Sequence, residues 1–184
     1  MKINLLTSTI SFQKKFLTTA TVLKRGRNYE CNIYELDPTE DKDYFSKVYN
    51  DRAWKKSVYI KEMKEDFPEN YPKEKTYTIE DTNEKCLGFI NIEDCYDTIE
   101  INLLEVCPKL SYKAKRRKTK YIGQGLINFL ISLAKEQEKK RITVPIVRIG
   151  AEGFYEKCGF ELVNNPMEDA LLTSNNFDKV LEKK

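Results

Sequence analysis

Histidine is absent from all 184 residues. That gap excludes hydrolases whose serine or cysteine relies on a histidine base, and it excludes histidine-ligated metal centres. Proton transfer in this chain falls to Asp, Glu, Lys, Tyr or Cys. Cysteine is sparse, with five residues, and no C-x-x-C pair occurs, so neither a zinc site nor a disulfide framework is read and no metal is expected. Free thiols suit a reducing compartment, and a cytoplasmic location is expected. No apolar run approaches the roughly 18 residues of a spanning helix. The opening segment lacks the apolar core of a signal peptide, and no membrane partner is expected. A strong charge of one sign is also missing, since the net charge is only +3. What is present, 40% apolar and 33% charged residues, is the balance of a folded soluble chain of about one domain.

Residues 1–28 are polar with scattered apolar positions and end in the basic run Lys24-Arg25-Gly26-Arg27; they read as a loosely packed appendage. Cys31 to Leu36 alternates as a strand. Asp37-Pro38-Thr39-Glu40 reads as a capped helix start, followed by Tyr44, Phe45, Val48 and Tyr49 at helical spacing. A second helix is expected from Trp54 to Phe67. Strands over 76–80, 86–93 and 99–106, joined by short polar turns, make an antiparallel meander that Pro108 ends. From Gly125 to Lys140 a wide apolar stripe predicts a largely buried helix. A β-branched run, Ile142 to Val147, and a short helix from Ala151 to Cys158 with Gly159 at C′ follow. Met167 to Ser174 reads as a last strand and Asn176 to Lys184 as a short polar helix. The pattern predicts a mixed α/β fold, with an appendage at 1–28, one domain at 29–174 and a polar tail at 175–184.

Lys120-Tyr121-Ile122-Gly123-Gln124-Gly125 precedes the long helix. The first N–H groups of a helix lack internal acceptors and carry partial positive charge, and glycine permits close backbone approach. An anion, most naturally a pyrophosphate, suits such a loop; an ordinary glycine-bearing turn is the other reading. Lys113, Lys115, Arg116, Arg117, Lys118 and Lys120 form a basic cluster open to three readings: a solvated loop, a nucleic-acid patch, or further phosphate contacts.

Ala151-Glu152-Gly153-Phe154-Tyr155-Glu156-Lys157-Cys158-Gly159-Phe160, together with Leu104-Glu105-Val106-Cys107-Pro108 and Lys120-x-x-Gly123-x-Gly125, resembles the GNAT superfamily of acyl-CoA-dependent N-acetyltransferases. The likeness covers residues 29 to about 174. It implies a central, mostly antiparallel sheet with a splayed parallel strand pair, flanked by about four helices. It also implies acetyl-CoA as cosubstrate, its pantetheine arm entering between the strand ending at Val106 and that of Ile142–Val147. Lys118, Lys120, Tyr121, Ile122, Gly123, Gln124, Gly125 and Leu126 then hold the pyrophosphate, and Tyr155 lies near the thioester sulfur. Lys120 stands where the family usually has Gln or Arg, the stretch from Pro108 to Gly123 is longer than common, and Arg148 replaces a frequent asparagine.

The implied reaction is direct attack of a primary amine, carried by a small molecule or a protein, on the thioester. Without histidine, the base is expected to be a carboxylate. Glu105 lies nearest the splay and is favoured, and Glu100 is kept open; strand alternation predicts that the two point to opposite faces. Cys107 and Cys158 read as small buried thiols rather than nucleophiles. Tyr44, Tyr49, Trp54 and Tyr59 border the expected acceptor side or belong to the core. Two other functions stay open: a CoA-binding module without transfer activity, and a nucleic-acid-binding protein using residues 113–120. A homodimer is compatible with either enzyme or module.

Overall fold

Alternating β-branched and polar residues supply nine strands of one sheet in the computed structural model, which describes residues 14–57, 59–66, 74–110, 119–165 and 168–182. The strands are β1 (Lys15–Lys24), β2 (Arg27–Leu36), β3 (Glu74–Glu80), β4 (Cys86–Asp94), β5 (Thr98–Val106), β6 (Thr119–Lys120), β7 (Arg141–Val144), β8 (Glu161–Asn165) and β9 (Glu168–Thr173). Five α-helices occur among the described residues: α1 (Tyr44–Asn50), α2 (Tyr59–Asp66), α3 (Ile122–Glu136), α4 (Glu152–Lys157) and α5 (Phe177–Leu181). The sheet order is β6-β1-β2-β3-β4-β5-β7-β9-β8. Its pairings are antiparallel except β5 with β7. This is the mixed α/β architecture the sequence predicts.

Each face of the sheet buries a different helix set, as an amphipathic layer must. On one face the stripe of α3, including Leu126, Ile127, Leu130 and Ile131, packs with Ile33, Ile79, Ile90, Ile92, Ile99 and Ile101. On the other, Phe45 of α1 and Ile60 and Met63 of α2 join Trp54, Leu36 and Phe89. The Trp54 indole N–H donates to the Cys86 carbonyl at 3.2 Å, which satisfies the one polar atom this ring takes into the core.

Several elements differ from the sequence expectation. Residues 15–24, read as part of a loose appendage, form a strand paired along β2. Val22 is buried, and Leu17 and Ala20 pack against the α3 core. The surrounding polar residues are the solvated positions of the same strand. The expected helix start at Asp37 is instead a turn: the Asp37 carboxylate accepts the N–H groups of Thr39 and Glu40 at 2.8 and 2.9 Å, and α1 begins only at Tyr44. Helix α2 is shorter than its apolar pattern suggested, with Trp54 in the turn that precedes it. Strand β7 stops at Val144, because Pro145 offers no N–H to a ladder. Strand β8 has no counterpart in the sequence reading. Helix α5, expected to be polar, buries Phe177 and Val180 in the α3 core.

Candidate active site

The only parallel pairing among the described strands is short. Thr98, Ile99 and Glu100 of β5 face Arg141, Ile142 and Thr143 of β7. Beyond those rungs β7 ends, while β5 continues to Val106 on β4 alone. The chain leaving β7 is held away by Asp169 on β9, whose carboxylate accepts the Val147 N–H at 2.6 Å. The Cys107 N–H donates to the Leu87 carbonyl at 2.9 Å, toward β4. Successive strand amides alternate in direction, so the Val106 N–H faces the open side. Among the described residues, a wedge results in which the end of β5 has no strand partner on the β7 side.

A bulge alters the reading of the two candidate bases. Asn91 pairs with Leu103 but Ile92 pairs with Ile101, so Asn102 is the inserted residue of β5. The bulge restores Glu100 and Glu105 to one face: they sit opposite Glu93 and Phe89 of β4, positions of equal parity. The expected opposite orientation is therefore corrected, because alternation counts ladder positions rather than residues. Glu105 turns toward α2, where its Oε2 accepts the Ser57 hydroxyl at 2.6 Å. Ser57 in turn accepts the Ile60 N–H at 2.9 Å, capping the first turn of α2. Burial raises the Glu105 carboxyl above its ordinary range; the Ser57 hydrogen bond and the Arg148 charge oppose this, and Glu62 adds to it. Arg148 lies over the Tyr59 ring, 5.5 Å from its centroid. The sequence reading missed Ser57. Its position three residues before buried Ile60 was the available signal, an N-cap placement.

The glycine loop sits at the start of α3. Tyr121, at φ +66°, is the N-cap, and the Gly125 N–H to Tyr121 O bond at 2.8 Å is the first to follow it. The N–H groups of Ile122, Gly123 and Gln124 precede that bond, and they are the donors such a terminus offers an anion. A Cβ at Gly123 would stand 3.0 Å from the Phe154 ring and 3.5 Å from Val106. Glycine there lets α3 close onto α4 and the end of β5. Gly125 serves packing instead: a Cβ would meet Ala20 on β1 at 3.3 Å. The Ile122 and Leu126 side chains are buried in the core, so Ile122 offers backbone and Leu126 packing. Gln124 bonds Asn128 at 2.9 Å and accepts the Cys158 thiol at 3.1 Å. Lys120 and Tyr121 are exposed. Lys118 and residues 113–117 lie outside the described residues.

Tyr155 of α4 is buried between Phe154 and Phe160, with edge-to-face ring centroids 5.1 and 5.4 Å away. Phe154 and Cys158 flank it and both touch the first turn of α3. Burial, with Cys158 adding, pushes the phenol up to about 12, so it is protonated at neutral pH. Burial likewise raises the thiols of Cys107 and, to about 12, of Cys158. Neither is poised as a thiolate. Among the expected aromatics, Trp54 and Tyr44 belong to the core, Tyr44 bonding Glu80 and Thr78 at 2.7 Å each. Tyr59 borders Glu105 through Arg148.

Comparison with family models matches residues 36–181 to the acetyltransferase (GNAT) domain. No curated protein matches the sequence. Among solved structures, an N-acetyltransferase of Thermoplasma acidophilum in complex with coenzyme A is similar, at TM-score 0.54 and 18% identity, covering 77% of this chain and 96% of that one. Mutant forms of the spermidine/spermine N-acetyltransferase of Vibrio cholerae give TM-score 0.53 and 14% identity, covering 84% and 99%. A GNAT-family acetyltransferase of Staphylococcus aureus gives TM-score 0.52 and 15% identity, covering 78% and 99%. At these identities the structural likeness is one of fold.

Proposed function

Because the chain belongs to the GNAT acetyltransferase family, we propose that it moves the acetyl group of acetyl-CoA to a primary amine by direct attack in a ternary complex. The carrying observation is the wedge between β5 and β7 with Glu105, a carboxyl of raised affinity for protons, on the strand that lines it. The pantetheine arm pairs with the open edge of β5, the Val106 N–H polarises the thioester carbonyl, and the α3 amides take the pyrophosphate. A cytoplasmic setting, with its reduced thiols, completes the reading.

An alkyl amine with an ordinary pKa near ~10.4 must lose a proton at neutral pH, at a cost of about 4–5 kcal/mol. Glu105 accepts that proton, directly or through water. Its raised proton affinity brings it closer to the amine than an exposed carboxylate stands. The leaving thiolate, whose thiol has a pKa near ~8.5, is a weaker base than the phenolate of Tyr155, at about 12, so full proton transfer from Tyr155 is uphill by about 5 kcal/mol. Tyr155 therefore acts as a hydrogen-bond donor to the sulfur as its charge develops. The α2 side of Glu105, bearing Ser57, Tyr59 and Glu62, receives the acceptor.

The experiment is thiol release from acetyl-CoA in the presence of a panel of small amines, amino acids and lysine peptides, read together with binding. Turnover on one acceptor class supports the reading. CoA binding without turnover on any member leaves a binding module, and absence of CoA binding removes the proposal altogether.

A further inference from the structure

The tip of the β1–β2 hairpin carries three cations, Lys24, Arg25 and Arg27. Its two-residue loop, Arg25-Gly26, has φ of +54° and +80°, the geometry of a type I′ turn. Asparagine or glycine meets the first of these positions with less strain than arginine, so the turn itself gives no reason for Arg25. Strand β6 joins this tip to the head of the glycine loop: Leu23 pairs with Lys120 and Lys24 with Thr119. Arg25 thus lies two positions past the partner of Lys120, about 7 Å along the strand, and Lys120 immediately precedes the α3 N-cap. Lys24 is held by Asp81 at 3.9 Å and by the Tyr29 ring at 4.6 Å. Arg25, Arg27 and Lys120 are exposed and have no carboxylate partner among the described residues. Lys24, Arg25 and Arg27 line an open depression with Asn28 and Tyr29. Unpaired like charges gathered on one edge repel one another, and an anion between them removes that repulsion.

We propose that Arg25 and Arg27, with Lys120, bind the ribose phosphate of coenzyme A, the anionic group at the nucleotide end of the molecule. The inference rests on the acetyl-CoA reading above, which puts the pyrophosphate at the start of α3. Arg25 and Arg27 lie outside residues 36–181, the part matched to the family domain, whereas Lys120 lies within it.

Calorimetric affinities for CoA and for 3′-dephospho-CoA, measured on the natural chain and on an Arg25→Asn, Arg27→Gln variant, test it. Arg25→Asn installs Asn-Gly, the favoured type I′ sequence, so the hairpin keeps its turn. The natural chain should bind CoA about tenfold more tightly than dephospho-CoA, the scale of a charge-assisted phosphate contact at an exposed site. The variant should lose that tenfold for CoA and bind dephospho-CoA unchanged. Equal affinity of the natural chain for both ligands overturns the subsite while leaving the acetyl-CoA reading intact, and needs no variant. So does a variant that weakens both ligands alike, or one whose loss falls on a single-stranded oligonucleotide instead of CoA. Failure of the natural chain to bind either ligand overturns both proposals.

Discussion

At the scale of the residue, the proposed reaction turns on Glu105 and Tyr155. Glu105→Gln keeps the shape and hydrogen-bonding capacity of the side chain but cannot take a proton. Its kcat should fall by about 10²–10⁴-fold with CoA affinity held, as steady-state kinetics beside calorimetry will check. The pH profile has a definite sign. Because burial raises the Glu105 pKa, activity should be lost on acidification at a pH above that of an ordinary carboxylate. Ser57 donates to the charged form and so lowers that pKa. Ser57→Ala should therefore move the acid limb of kcat/KM to higher pH, whereas a Ser57 of purely structural importance would lower the whole profile without shifting it. Tyr155→Phe should reduce kcat by roughly 10–100-fold with little change in CoA affinity, and full activity would remove the phenol from the mechanism.

At the scale of the element, glycines decide how closely helices approach. Gly159 stands just past α4 at φ +89°, and a Cβ there would clash with the Val180 Cγ2 of α5. Gly159→Ala should cost about 1–3 kcal/mol, combining backbone strain with overpacking, measurable in a urea melt. Gly123→Val pushes on the Phe154 ring rather than on solvent. It should weaken CoA binding by displacing α4 from the α3 terminus, and unchanged affinity would put the pyrophosphate elsewhere. The same scale explains two failures of sequence reading. A bulge at Asn102 leaves no mark in composition or period, yet it carries Glu100 and Glu105 onto one face. The turn at 37–43 uses the same Asp-Pro signal that begins helices, and the side chain of Asp37 spends itself on local amides instead.

At the scale of the whole molecule, binding and folding are linked. Acetyl-CoA at 100 times its Kd should add about 2.7 kcal/mol of stability, which for a chain of this length corresponds to a melting rise of roughly 5–10 °C. Strand β1 belongs to this scale as well. It shields the β2 edge and supplies Ala20 to the face of Gly125, although its own sequence reads as polar. Five of its ten residues are nonetheless apolar, and Leu17, Ala20 and Val22 join the α3 core.

Sequence alone settled what local patterns and chemical inventory settle. The missing histidine excluded an imidazole base, the period of the apolar residues gave the meander and the buried helix, and the Phe154–Phe160 and Gly123 motifs pointed to the family. Periodicity is a property of neighbours along the chain, so it carried no word of how far β7 follows β5, of Asp169 drawing Val147 aside, or of Ser57 meeting Glu105. Those contacts join residues far apart in sequence. They exist only once the sheet has closed, and it is that closure which opens the wedge and buries Glu105, raising its proton affinity while the Ser57 hydrogen bond opposes the rise.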